Sequence, residues 1–124
     1  EKGELELAKA GQWPPLLAGK NREARWVGAA SGPPLGMIGT TVYKTEKIKL
    51  EPFDTLLYYS DGIVEAENLD GEQYDPHLLP NTSQAGVGAK KLLSHVLECV
   101  ESFSRGATQA DDMTLVSMSW AGAR

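Results

Sequence analysis

The stretch Leu56-Leu57-Tyr58-Tyr59-Ser60-Asp61-Gly62-Ile63-Val64-Glu65-Ala66-Glu67-Asn68-Leu69-Asp70-Gly71-Glu72 joins an unbroken apolar and aromatic run to an acidic residue followed by glycine. The run reads as a buried strand over 55–59 that stops at Ser60-Asp61-Gly62. Residues 63–68 contain no helix breaker and predict a short helix ending before Asp70-Gly71. Asp61 is thereby placed at a strand end. Immediately upstream, Glu51-Pro52-Phe53-Asp54 has proline where a turn needs a fixed φ. Before it, residues 41–50 carry Val42, Ile48 and Leu50 in register with Lys44, Lys47 and Lys49, the pattern of a strand with one wet face. Strand, turn and strand together predict a hairpin.

Further out, Leu5 and Leu7 alternate with Glu4 and Glu6, a half-buried strand that ends near Gly11. After Trp13-Pro14-Pro15, the apolar run Leu16-Leu17-Ala18 enters the turn-rich Gly19-Lys20-Asn21 and returns over 23–27 as a second predicted hairpin. Ser31-Gly32-Pro33-Pro34-Leu35-Gly36 holds too much glycine and proline for regular structure and reads as a loop. Towards the other end, Leu92, Leu93, Val96, Leu97, Val100 and Phe103 follow three-and-four spacing, which predicts an amphipathic helix over 87–103. Gly106 fits a helix stop, and 113–120 has strand character, so Asp111 and Asp112 also meet a strand edge.

A chain of 124 residues, 41% hydrophobic and 23% charged, has the size and composition of one folded domain. Its opening Glu-Lys-Gly suggests a piece of a longer protein, which as a half-domain would leave apolar surface uncovered. The net charge of -5 and the absence of any basic cluster argue against a nucleic-acid partner. No apolar run approaches the roughly 20 residues of a membrane-spanning helix. The single Cys99 excludes an internal disulfide, suits a reducing cytoplasm and reads as core.

Two acidic positions therefore lie where a loop meets a hydrophobic strand: Asp61 and the Asp111-Asp112 pair. Carboxylate oxygens suit hard divalent ions, and Mg²⁺ commonly keeps several waters with only one or two carboxylates. Gly62 would let backbone approach an ion or its water shell closely. Acidic-glycine pairs are also ordinary turns, and an Asp before a helix is more often a cap than a ligand. His77 in a proline-flanked loop and His95 on the long helix read as structural. Residues 68–72 lack the acidic spacing of a calcium loop and read as a solvated turn. Trp13, Trp26 and Trp120 read first as core, and Lys90-Lys91 as the wet side of a helix. Gly86-Val87-Gly88 is too short for a phosphate-cradling loop.

Five blocks, in order, resemble the SpoIIE-type phosphatases, the bacterial branch of the metal-dependent type 2C protein phosphatases. The 56–72 stretch is similar to the family's signature block. Gly3-Glu4-Leu5, leading to Ala10-Gly11 and Pro14-Pro15-Leu16-Leu17, is similar to its strand and Ala-Gly-His-x-Pro-Pro region, with Gln12 in place of His. Pro34-Leu35-Gly36 matches its Pro-Leu-Gly loop. Leu50-Glu51-Pro52-Phe53-Asp54 matches its Leu-Glu-Pro-Gly-Asp turn, with Phe53 in place of Gly, and Ala110-Asp111-Asp112-Met113-Thr114-Leu115-Val116 matches its closing strand.

The resemblance implies an α+β fold, an antiparallel β-sandwich flanked by helices in the αββα phosphatase arrangement, of which residues 1–124 would be a C-terminal part. It implies a site for two Mn²⁺ or Mg²⁺ ions in the intact domain, with Asp61 and Asp111 holding one, and Gly62 and Asp112 in support. The family's bridging aspartate comes from an Asp-x-x-Gly-His block that this sequence lacks, and neither Asp54 nor Asp70 has its context. The fragment alone is expected to hold at most one ion and to be inactive. The implied activity of the intact protein is hydrolysis of phosphoserine or phosphothreonine on a cytoplasmic regulatory protein, an anti-sigma factor antagonist in a partner-switching pathway. The alternative is a degenerate phosphatase that binds a partner without chemistry.

Overall fold

The structure, a computed structural model, describes residues 3–19, 22–79 and 88–122. The expected turn residues Lys20 and Asn21, and Gly86 and Val87 at the expected helix start, lie outside them. Eight strands are named in chain order: β1 (Glu4–Leu7), β2 (Lys9–Ala10), β3 (Leu16–Gly19), β4 (Arg22–Trp26), β5 (Ser31–Gly32), β6 (Glu46–Lys49), β7 (Thr55–Tyr59) and β8 (Leu115–Ser119). Among the described residues, two α-helices join them, α1 (Asp61–Val64) and α2 (Ala89–Phe103), with one 3-10 turn at Pro76–Leu78.

The central layer is an antiparallel sheet in the order β4-β3-β7-β8. Alternation along its strands splits the core. Leu16, Ala18, Leu57 and Tyr59 face one side, where they pack with Ile63, Leu92, Val96 and Val100. Leu17 and Leu56 face the other, against Val27, Ile48 and Leu50. The first face is covered by the apolar stripe of α2, as the sequence spacing predicts. The second is covered by the antiparallel pair β1–β6, whose Leu5, Leu7 and Ile48 point at the sheet. Helix, four strands and two strands thus form successive layers, an α+β sandwich of the expected class.

The hairpin over 16–26 is present as β3–β4. The hairpin over 41–59 is not. β6 pairs with β1, whereas β7 pairs with β3 and β8, so residues 50–54 form a corner between two layers. Leu50 N–H still donates to Gly3 (2.7 Å), while Phe53 N–H donates to Trp120 O (2.6 Å) and Trp120 N–H to Asp54 O (2.8 Å). Backbone groups on the two sides of Pro52 are therefore claimed by different partners. The corner is tied internally by Asp54, whose buried carboxylate accepts from Glu51 N–H at 2.7 Å.

Three further expectations change in extent. The strand over 41–50 shrinks to 46–49, because β1 offers only four residues of register, and Val42 is left 89% exposed. The helix expected over 63–68 occupies 61–64. Beyond it, Tyr74 N–H donates to Ala66 O and Asn68 N–H to Glu72 O, and Asn68 Oδ1 accepts from Asp70 and Glu72. The tight turn over 68–72 takes the groups a longer helix would have used. The expected loop at 31–36 contributes β5, which pairs in parallel with β2.

Candidate metal site

β7 and β8 run antiparallel with Tyr59 opposite Leu115, so the residues just after β7 meet those just before β8. Ser60 fastens this junction. Its N–H donates to Thr114 O (3.0 Å), and its hydroxyl accepts from Thr114 N–H (2.9 Å) and donates to Asp112 O (3.2 Å). Gln109 Nε2 donates to Asp111 O at 2.8 Å, holding the approach to β8. Asp61 and Asp111, 50 positions apart in sequence, thus share one rim of the central sheet.

Gly62 carries the closest contact. A Cβ built on it would collide with the carbonyl oxygen of Asp112 and lie 2.9 Å from that carbonyl's carbon. The close approach at Gly62, in the direction a side chain would take, is to the Asp111-Asp112 backbone. Asp61, first in α1, is exposed, and its Oδ1 accepts from the indole Nε1 of Trp13 at 2.7 Å. Asp111 and Asp112 are also exposed, and Asp111 Oδ1 accepts from Asp112 N–H at 2.7 Å.

Trp13 is a site residue that sequence reasoning missed. It is 42% exposed, not core, and its ring stacks on Tyr59 with centroids 6.4 Å apart and planes at 29°. The Tyr59 hydroxyl accepts from Trp26 Nε1 (3.0 Å), and Trp26 meets His77 edge to face at 5.3 Å. Burial raises the Tyr59 pKa above its usual value, with the Trp26 hydrogen bond opposing. Trp13, Pro14, Trp26, Tyr59, Pro76 and His77 line a recess of about 210 Å³. The only hint in the sequence was position, since Trp13 fills the variable place before Pro14-Pro15. Trp26 and Trp120 are half-buried against the two core clusters, as read. His95 sits on α2 away from the rim, with Nε2 3.9 Å from the sulfur of Cys99, which is half-buried rather than core.

The donor set is made of hard oxygens. Asp61 Oδ2 and Asp111 Oδ2 have no hydrogen bond among the described residues. Two such carboxylates fit one divalent ion that keeps most of its water. Among the described residues, no group of three or more His, Cys, Asp or Glu is arranged to hold a metal, so a second ion would need donors from elsewhere.

Residues 1–121 match the family model described as Stage II sporulation protein E (SpoIIE). The chain belongs to the SpoIIE family. The chain is also similar to Protein IcfG of Synechocystis sp., 26% identical over 90 residues, which cover 72% of this chain and 14% of that protein. The crystal structure of the RsbU and RsbW domains of a Mycobacterium tuberculosis protein superposes with a TM-score of 0.73 at 25% identity. It covers 99% of this chain and 35% of the other. The Mn-presoaked phosphatase domain of SpoIIE from Bacillus subtilis superposes with a TM-score of 0.71 at 16% identity, covering 100% of this chain and 54% of that one. These superpositions establish the phosphatase fold, and the chain spans well under two thirds of each relative. Among the described residues, no helix is long and apolar enough to cross a membrane.

Proposed function

We propose that residues 1–124 are the C-terminal part of one SpoIIE-type phosphatase domain. Its intact form hydrolyses phosphoserine or phosphothreonine on a cytoplasmic regulatory protein with the help of Mn²⁺ or Mg²⁺. The observation that carries the reading is the seating of the Asp111-Asp112 backbone on Gly62, which puts Asp61 and Asp111 on one rim. Asp61 and Asp111 are the ion's ligands in this reading. Gly62 and Asp112 hold them in place, Gly62 by admitting the neighbouring backbone and Asp112 through its N–H on the Asp111 carboxylate. A bound divalent ion supplies an acidified water and neutralises charge on phosphoryl oxygens. The chain's own contribution is to hold two carboxylates where their charge favours a cation. The Mn-presoaked relative supports the choice of metal.

The substrate we propose is an anti-sigma factor antagonist. Support comes from family membership and from the relative in which RsbU and RsbW domains occur together. The test is Mn²⁺-dependent phosphate release from a phosphoserine protein by the intact protein. Asp61→Asn and Asp111→Asn should each abolish it, and full activity in both variants would reject the assignment.

A second reading, a partner-binding module without catalysis, draws on the lack of a three-residue metal cluster among the described residues. It loses its support if the intact protein contains an Asp-x-x-Gly-His block ahead of Glu1.

A further inference from the structure

Trp13 is an exposed tryptophan whose indole N–H, its only polar side-chain group, donates to an exposed aspartate 48 positions away. Core packing does not require that bond, because the ring is already seated on Tyr59, itself fixed by Trp26. The indole is thus a donor on a rigid mount. An indole N–H is neutral and donates only, so it can orient a carboxylate without adding a cation that competes for the ligand's charge. We propose that Trp13 is a positioning residue for Asp61. It holds Oδ1, fixes the carboxylate's rotamer and leaves Oδ2 available to a divalent ion, so that less side-chain freedom is lost on binding. This rests on Asp61 being a metal ligand, and the role resembles that of the outer partners that orient ligands in other metal sites.

The experiment measures Mn²⁺ affinity of the intact protein by calorimetry for wild type, Trp13→Phe and Asp61→Asn. Trp13→Phe keeps the ring and removes the donor. It should raise the Kd about tenfold or more while leaving the thermal midpoint nearly unchanged, a combination that a purely structural role would not give. Loss of affinity in Asp61→Asn with no change in Trp13→Phe would overturn the positioning role alone. Unchanged affinity in Asp61→Asn would overturn the metal-ligand reading beneath it. A wild-type measurement covers the case in which Trp13→Phe folds poorly. With saturating Mg²⁺, the Trp13 indole proton should keep the slow solvent exchange of a hydrogen-bonded group. Exchange as fast as that of a free indole would reject the proposal.

Discussion

Gly62 shows how much one missing methyl group can decide. Its φ is not in the left-handed region, so alanine could adopt its backbone conformation. Space is the obstacle, because the added Cβ would meet the backbone of Asp112, which β7–β8 pairing and Ser60 prevent from retreating. Overpacking of this kind costs about 1–3 kcal/mol. Gly62→Ala should therefore lower stability by that amount in urea denaturation, and an unchanged midpoint would contradict the contact. Asp61, Gly62 and Asp111 stand out in the sequence through the resemblance of their blocks to the family, because acidic residues and glycine at strand ends also serve as ordinary turns and caps. The sequence could not identify Trp13 or Ser60, whose roles lie in partners 48 and 54 positions away, separations over which no local spacing carries information.

At the scale of elements, period-two alternation located β1, an unbroken apolar run located β7, and three-and-four spacing located α2, since each pattern follows directly from which faces are buried. The corner at 50–54 was misread as a hairpin for an equally physical reason. Pro52 and Asp54 specify a reversal, but which sheet the outgoing strand joins depends on β1 and β8, far away in sequence. Phe53 marks the strain at this corner. It holds a φ of 71° and is 58% exposed, so it takes a left-handed conformation with little burial in return. That conformation costs a non-glycine residue about 1–2 kcal/mol, partly offset by the larger unfolded-state entropy of glycine. Phe53→Gly should raise stability by roughly 0.5–1 kcal/mol in denaturant unfolding. A loss of stability would mean that the exposed ring matters more than the backbone.

Across the molecule, the middle strands β3 and β7 of the central sheet are covered on both faces, and the tyrosines on β7 and packed near it register that burial. Desolvation raises the pKa of Tyr58, Tyr59 and Tyr74 above the ordinary value of 10.0, with the charges of Cys99 and Asp75 adding to it at Tyr74. A raised folded-state pKa means that the folded protein holds its protons longer than the unfolded one. The stability these groups contribute is complete below pH 10.0 and is lost as pH rises through their folded values. The thermal midpoint should accordingly show no tyrosine-linked fall on the neutral side and then decline above that pH. Tyr58→Phe should make the alkaline decline shallower, and an unaltered decline would assign it to other groups.

The same architecture positions the two proposed ligands. The order of the sequence blocks indicated a sandwich with acidic residues at strand ends, but only the pairing of β7 with β8 puts residues 61 and 111 on a common rim. The most direct test is a crystal structure of the intact protein soaked in Mn²⁺, read by anomalous scattering. The expected result is a manganese peak bonded to carboxylate oxygens of both Asp61 and Asp111. A structure in which no manganese touches these two side chains would contradict it.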